Sequence, residues 1–246
     1  MQKRIPKEVF LRMRRRHRGY RVLLLVQVGF LMLLPVADRH PWMISLMLIV
    51  LSIVIVSEVS RFSPLKSRRQ SFYLLGGIAI GMEILWHLLL QWRPLLGIAL
   101  TVPHVIVWTA FLVLALTRMV LTLMRERYVT SAVVLGAAAG YLLIGVAGGV
   151  LLGALWVLHP SSIELIRHPL ASSAQDKLEL LGLSSLNVAP TLMSSAFNLL
   201  TTVGTPLVNL RDLSSQVVTT FITVTGQLYV AILIGLVLGR FHKIHR

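Results

Sequence analysis

The chain has 246 residues, of which 56% are hydrophobic and only 13% charged, yet its formal net charge is +15. That charged share is about half of what a soluble domain carries, and so much apolar surface calls for lipid rather than water. The basic excess sits beside apolar runs, which marks membrane topology and not nucleic-acid binding, and the absence of cysteine excludes disulfides, cysteine-ligated zinc, iron–sulfur clusters and thiol catalysis.

In chain order, residues 1–19 form a basic segment. Its apolar residues Ile5, Val9, Phe10 and Met13 are spaced so that a helix can lie on anionic headgroups; its charge reads equally well as a plain positive-inside anchor. Six apolar runs follow, over 20–37, 42–60, 71–90, 96–123, 130–158 and 216–240, each near or above the ~20 residues that cross a bilayer. The first is marginal in length and is expected to end at Pro35. It lacks an Ala-x-Ala site and its basic region is long for a signal peptide, so it is expected to be retained. With six spans, nineteen Lys and Arg fall on one face, in the N-terminal segment, after spans two and four and at the C-terminus, whereas five (Arg39, Arg93, Arg167, Lys177 and Arg211) fall on the other, together making all 24. The positive-inside rule then places both termini in the cytoplasm.

Ionisable residues inside spans are expensive unless paired or functional. Glu58 lies in span two, Glu83 and His87 four residues apart on one face of span three, and His104 and Arg118 in span four. Arg118 and Glu58 both lie toward the cytoplasmic side and are a candidate pair. These residues read either as glue between helices, the favoured reading, or as a vestigial sensor or proton-sensitive site. Pro103 beside His104 marks a candidate kink.

The connection over 159–190 is polar, and 171–182 is expected to form a short amphipathic helix. After it, Pro190 or Thr191 can start a helix whose apolar run stops at Thr201-Thr202-Val203-Gly204-Thr205-Pro206. The run over 190–203 is too short to span, and a half-helix followed by an extended strand cannot face lipid, because its free carbonyls would cost several kcal/mol each. Such a segment either lines a wet cavity, where its negative C-terminal end and the strand carbonyls suit a cation, or is a surface loop carrying one apolar helix.

Leu200-Thr201-Thr202-Val203-Gly204 resembles the start of the potassium-channel signature Thr-Thr-Val-Gly-Tyr-Gly-Asp, and Thr223-Val224-Thr225-Gly226-Gln227-Leu228-Tyr229-Val230-Ala231-Ile232-Leu233-Ile234 is similar to the inner pore helix of prokaryotic potassium channels. The resemblance implies an all-α membrane protein with six transmembrane helices and a re-entrant pore helix and filter between helices five and six, assembled as a homotetramer around one pore in the plasma (inner) membrane. Residues 20–124 would be a four-helix voltage-sensor-like domain and 125–246 the pore domain. Thr201, Thr202, Val203, Gly204, Thr205 and Pro206 would occupy filter positions, with the Thr202 hydroxyl toward the cavity. Gly226 or Gly235 would be an inner-helix hinge or gate, a role that competes with plain close packing by small residues, and Asp212 would lie at the outer mouth beside Arg211. The permeant species would be monovalent cations, potassium or sodium, with no other cofactor.

The chain departs from the family where Thr205, Pro206 and Leu207 replace Tyr-Gly-Asp. Proline fixes φ near −65°, which filter glycines do not use, so altered selectivity is expected, with a non-conducting scaffold as the rival. Span four carries a single arginine, Arg118, too little charge for steep voltage gating. No HExxH, GxSxG or paired-carboxylate motif points to an enzyme, and only one half has a broken helix, unlike transporters built on inverted repeats.

Overall fold

The computed structural model describes residues 7–40, 42–62, 69–125, 131–159, 188–204 and 212–244. Seven helices and no strands occur among them: α1 (Lys7–Ala37), α2 (Trp42–Phe62), α3 (Arg69–Trp92), α4 (Pro94–Arg125), α5 (Ser131–Leu158), α6 (Val188–Leu200) and α7 (Leu213–Ile244). Five of them, α1, α3, α4, α5 and α7, contain stretches long and apolar enough to cross a membrane. The expected set of six is thus met in five; the apolar stretch described for α2, Trp42–Glu58, is shorter than these.

The helix ends follow local chemistry. Proline lacks the N–H that an interior turn requires but is tolerated where that N–H has no partner. Pro94 opens α4, and the corner from α3 is the single residue Arg93, whose carbonyl accepts from the amides of Leu96 and Gly97 at 3.0 and 3.1 Å. A Cβ on Gly97 would lie 2.8 Å from the backbone nitrogen of Leu90, so only glycine lets the two helices leave this corner so close together. Pro35 does not end α1, which runs on to Ala37; it removes one interior hydrogen bond, and the apolar packing of Leu34 and Ala37 holds the last turn. Pro103 likewise lies inside α4.

The helices pack in sequence: α1 on α2, α2 on α3 and α3 on α4, while α5 lies against α1, α4 and α7. One continuous core joins Leu23 and Phe30 of α1, Leu51 and Ile55 of α2, Phe72 of α3, Trp108 and Phe111 of α4, Leu143 and Val146 of α5, and Met193 of α6. A second cluster brings Leu152, Leu155 and Trp156 of α5 together with Leu192, Ala196 and Leu199 of α6 and Ile222 of α7. The short helix α6 is thus wedged between the two longest-range partners of the C-terminal half. The expected amphipathic helix over 171–182, together with Arg211, Thr205 and Pro206, lies outside the described residues.

Candidate functional site

α6 can enter this wedge because α5 is rich in glycine. A side chain at Gly145 would collide with the ring of Phe197, and one at Gly149 with Met193. On the other flank, a Cβ on Gly226 of α7 would lie 2.5 Å from Leu200 Cδ1 and 3.3 Å from the Leu200 carbonyl oxygen. Gly226, a candidate hinge, is therefore a close-approach residue against the end of α6. Gly235, the other candidate, has open space around its Cα.

Two hydroxyls tie the C-terminal end of α6 to its neighbours. Tyr141 of α5 donates to the Leu200 carbonyl at 2.9 Å, and Thr223 of α7 donates to the Leu199 carbonyl at 3.2 Å. A third, Tyr229 of α7, donates across to the Ala137 carbonyl of α5 at 2.9 Å, its ring passing over Gly140. Sequence reasoning places Thr223 at the start of the inner-helix motif but gives it no partner, and it misses Tyr141. The available signal was a tyrosine at mid-span depth in a Gly/Ala-rich helix, whose O–H needs a partner when it is shielded from water.

Beyond Leu200 the chain turns. The amide of Val203 donates to the Asn198 carbonyl at 2.9 Å and that of Thr202 to the Leu199 carbonyl at 3.0 Å, the paired closure of a Schellman cap. The left-handed position of that cap normally takes glycine; here it is Thr202, with φ 63°. The Gly204 amide also turns back to Asn198, at 3.2 Å, with φ 81°. Where an extended strand is expected to begin, the chain makes a tight turn through Thr202, because the carbonyls of Phe197, Asn198 and Leu199 at the end of α6 recruit the following amides. The carbonyls of residues 197–201 are all engaged, by these amides, by Thr201 Oγ1, by Thr202 Oγ1 donating to Thr201 at 2.6 Å, and by Tyr141 and Thr223. Those of Thr202, Val203 and Gly204 have no partner among the described residues. Thr201, Thr202 and Val203 are exposed, Val203 by 77% despite its apolar side chain.

Asp212, expected at an outer mouth, caps the N-terminus of α7: its Oδ2 accepts from the Ser215 amide at 3.1 Å and its carbonyl from the Gln216 amide at 3.1 Å.

The intramembrane polar residues gather between α3 and α4. Glu83 is 1% exposed and His104 5%, and Glu83 Oε2 lies 2.8 Å from His104 Nε2. The partner of Glu83 is therefore on the next helix and not His87 one turn away, because the tight Arg93 corner brings the facing positions of α3 and α4 together. Trp86 stacks on the His104 ring at 4.7 Å and 4°, and its indole N–H donates to Thr101 at 3.0 Å. His87 instead meets Ser45 of α2. Arg118 is buried with its guanidinium 4.6 Å from the centre of the Phe72 ring, and Glu58 is half-buried toward the end of α2. Glu83 is thus placed against a ring nitrogen of His104, and Arg118 against an aromatic face.

No family model, no curated protein and no solved structure matches this chain.

Proposed function

We propose that the chain is the subunit of a tetrameric cation channel of potassium-channel-like architecture, with weakened potassium selectivity and without steep voltage dependence. The observation that supports this most is the end of α6: the carbonyls of residues 197–201 are satisfied within the chain, while those of Thr202, Val203 and Gly204 meet no partner among the described residues, on a turn beside α7 where Thr202 and Val203 are exposed. An apolar half-helix of about 20 Å cannot cross a ~30 Å hydrocarbon core, and free carbonyls at its end are compatible with a membrane only where water or a cation meets them. The exposed stripe Val217, Phe221, Val224, Leu228 and Ile232 along one face of α7 supplies an apolar surface for neighbouring subunits around that turn.

On this reading α2 is a sixth span, since its 21 residues reach about 31 Å when helical. Both termini are then cytoplasmic, in the plasma membrane, with the basic N-terminal segment over anionic headgroups. The specific observation favouring the rival, a non-conducting scaffold, is the Schellman turn, which draws the Val203 and Gly204 amides onto Asn198 and leaves fewer aligned carbonyls than a potassium filter needs.

Planar-bilayer recording of the purified protein under opposed potassium and sodium gradients tests both. The expected result is a cation current reversing between the two equilibrium potentials. Reversal at the potassium value overturns weakened selectivity, and absence of current under all voltages, with the triple substitution Thr205→Tyr, Pro206→Gly, Leu207→Asp as a control, favours the scaffold.

A further inference from the structure

The Glu83–His104 pair borders a cavity of about 60 Å³ between α2, α3, α4, α5 and α6. A water needs about 10–15 Å³ of such space and two to four polar partners. Here Ser45, Thr101, Glu83 and His104 line the cavity, so it is large enough for a few waters and offers them polar partners. A buried acid–base pair is a poor way to gain stability, because an apolar pair of similar volume usually does as well or better.

The pair is also not sealed. Gln91, near the exposed C-terminal end of α3, donates from Nε2 to His87 Nε2 at 3.1 Å. That contact leaves the other ring nitrogen, Nδ1, to face Ser45 Oγ at 3.3 Å, and Ser45 opens onto the cavity. Solvent, His87, Ser45, cavity and Glu83–His104 thus form one polar line through otherwise apolar walls.

We propose that this cavity is a proton-binding site, open to the aqueous face at the Trp92 end of α3, with His87 as the relay and the Glu83–His104 pair as the acceptor. Hydronium gives its proton to His87, leaving water. The imidazolium passes its Nδ1 proton to Ser45 Oγ, which releases its own hydroxyl proton to a cavity water and thence to the pair. The pair shares one exchangeable proton when neutral overall; the added proton leaves an imidazolium beside a carboxylic acid, with a net charge of +1. The titratable groups facing the site are Glu83 and His87 from α3 and His104 from α4. α2 contributes Ser45 and apolar residues, α5 contributes residues such as Gly149 and Val150, and α6 contributes Ala189 and Met193, none of them charged. Arg118 is about 21 Å along α4 from His104 and does not face it. A charge that appears here is felt at the wall formed by α6.

Infrared difference spectroscopy of the purified protein in lipid, taken from about pH 8 to about pH 4, tests this without requiring any current. The wild type is expected to gain a protonated-carboxyl band that disappears in Glu83→Gln and moves in frequency in Glu83→Asp. After a rapid acid jump, His87→Leu is expected to reach the same band amplitude at least tenfold more slowly. A wild type without a Glu83-dependent band, or a His87→Leu protein that responds at the wild-type rate, overturns the proposal. Glu83→Asp keeps the acid in place should Glu83→Gln fail to fold.

Discussion

The two halves of the molecule solve the same packing problem with opposite materials. In the α3–α4 hairpin, large and polar side chains fill the interface: the buried Glu83, His104 and Trp108 and the half-buried Trp86 form a row of contacts through His104. Around α6, the interface is made by what is missing, since Gly140, Gly145, Gly149 and Gly226 each admit a neighbour's side chain into the space of a Cβ. The first arrangement gains specificity from hydrogen bonds that must be satisfied, and the second from backbone proximity, which lets Tyr141, Thr223 and Tyr229 reach carbonyls on adjacent helices. A polar interface can respond to a proton. A small-residue interface can only be filled or left as it is.

Substitutions can break or sharpen this contrast. Replacing Glu83 alone by Leu should destabilise the protein by about 3 kcal/mol, since it strands a buried imidazole, whereas Glu83→Leu with His104→Leu should return to within about 1 kcal/mol of wild type. Unfolding by denaturing detergent, followed by circular dichroism, measures both; equal losses in the single and double variants would show that the pair is not coupled.

On the opposite side of the comparison, Gly145→Val should cost about 1–3 kcal/mol by driving the ring of Phe197 out of its slot. Gly235→Val, with nothing near its Cα, should leave the melting temperature unchanged. A similar loss at both glycines would show that the close approach of Phe197 is not what sets the cost at Gly145.

Thr202→Gly should stabilise by about 1 kcal/mol, because the left-handed conformation at φ 63° disfavours a β-branched residue. If that gain in melting temperature comes with a lost or altered cation current in the bilayer assay, the strain at Thr202 is part of function; a loss of stability would instead contradict the turn. Asp212→Ala should cost about 1 kcal/mol through loss of the α7 cap, with no change in current reversal. A shifted reversal potential in that variant would restore Asp212 as a mouth residue.

Much of the helical scaffold is legible in the sequence because lipid imposes a coarse, local rule. Runs of apolar residues over 71–90, 96–123 and 130–158 correspond to α3, α4 and α5 with ends displaced by no more than about three residues, within the ordinary spread of helix boundaries. The short run at 190–203 corresponds to α6, but the helix already ends at Leu200, with Thr202 and not Gly204 in the left-handed position of the cap. Pairing was less legible. Glu83 and His87 share a helical face in the sequence, yet the partner of Glu83 is twenty-one residues away, and nothing local states that Arg93 alone would form the corner. Asp212 reads as a candidate cation attractor until the amides of α7 are seen to use it.

By itself, then, the sequence determined that this chain is helical and apolar enough for a membrane and that its basic residues are unevenly distributed, because hydrophobic length and charge need no knowledge of neighbours. It also located a half-length helix followed by Thr-Thr-Val-Gly. Only the tertiary structure decided that this helix is held between α5 and α7 by glycine slots and two hydroxyls, that Thr202 turns the chain instead of extending it, and that Glu83 and His104 meet beside a cavity. Each of those is a contact between residues distant in sequence, set by how close two backbones can come, and that distance is fixed by packing and not by the composition of either helix alone.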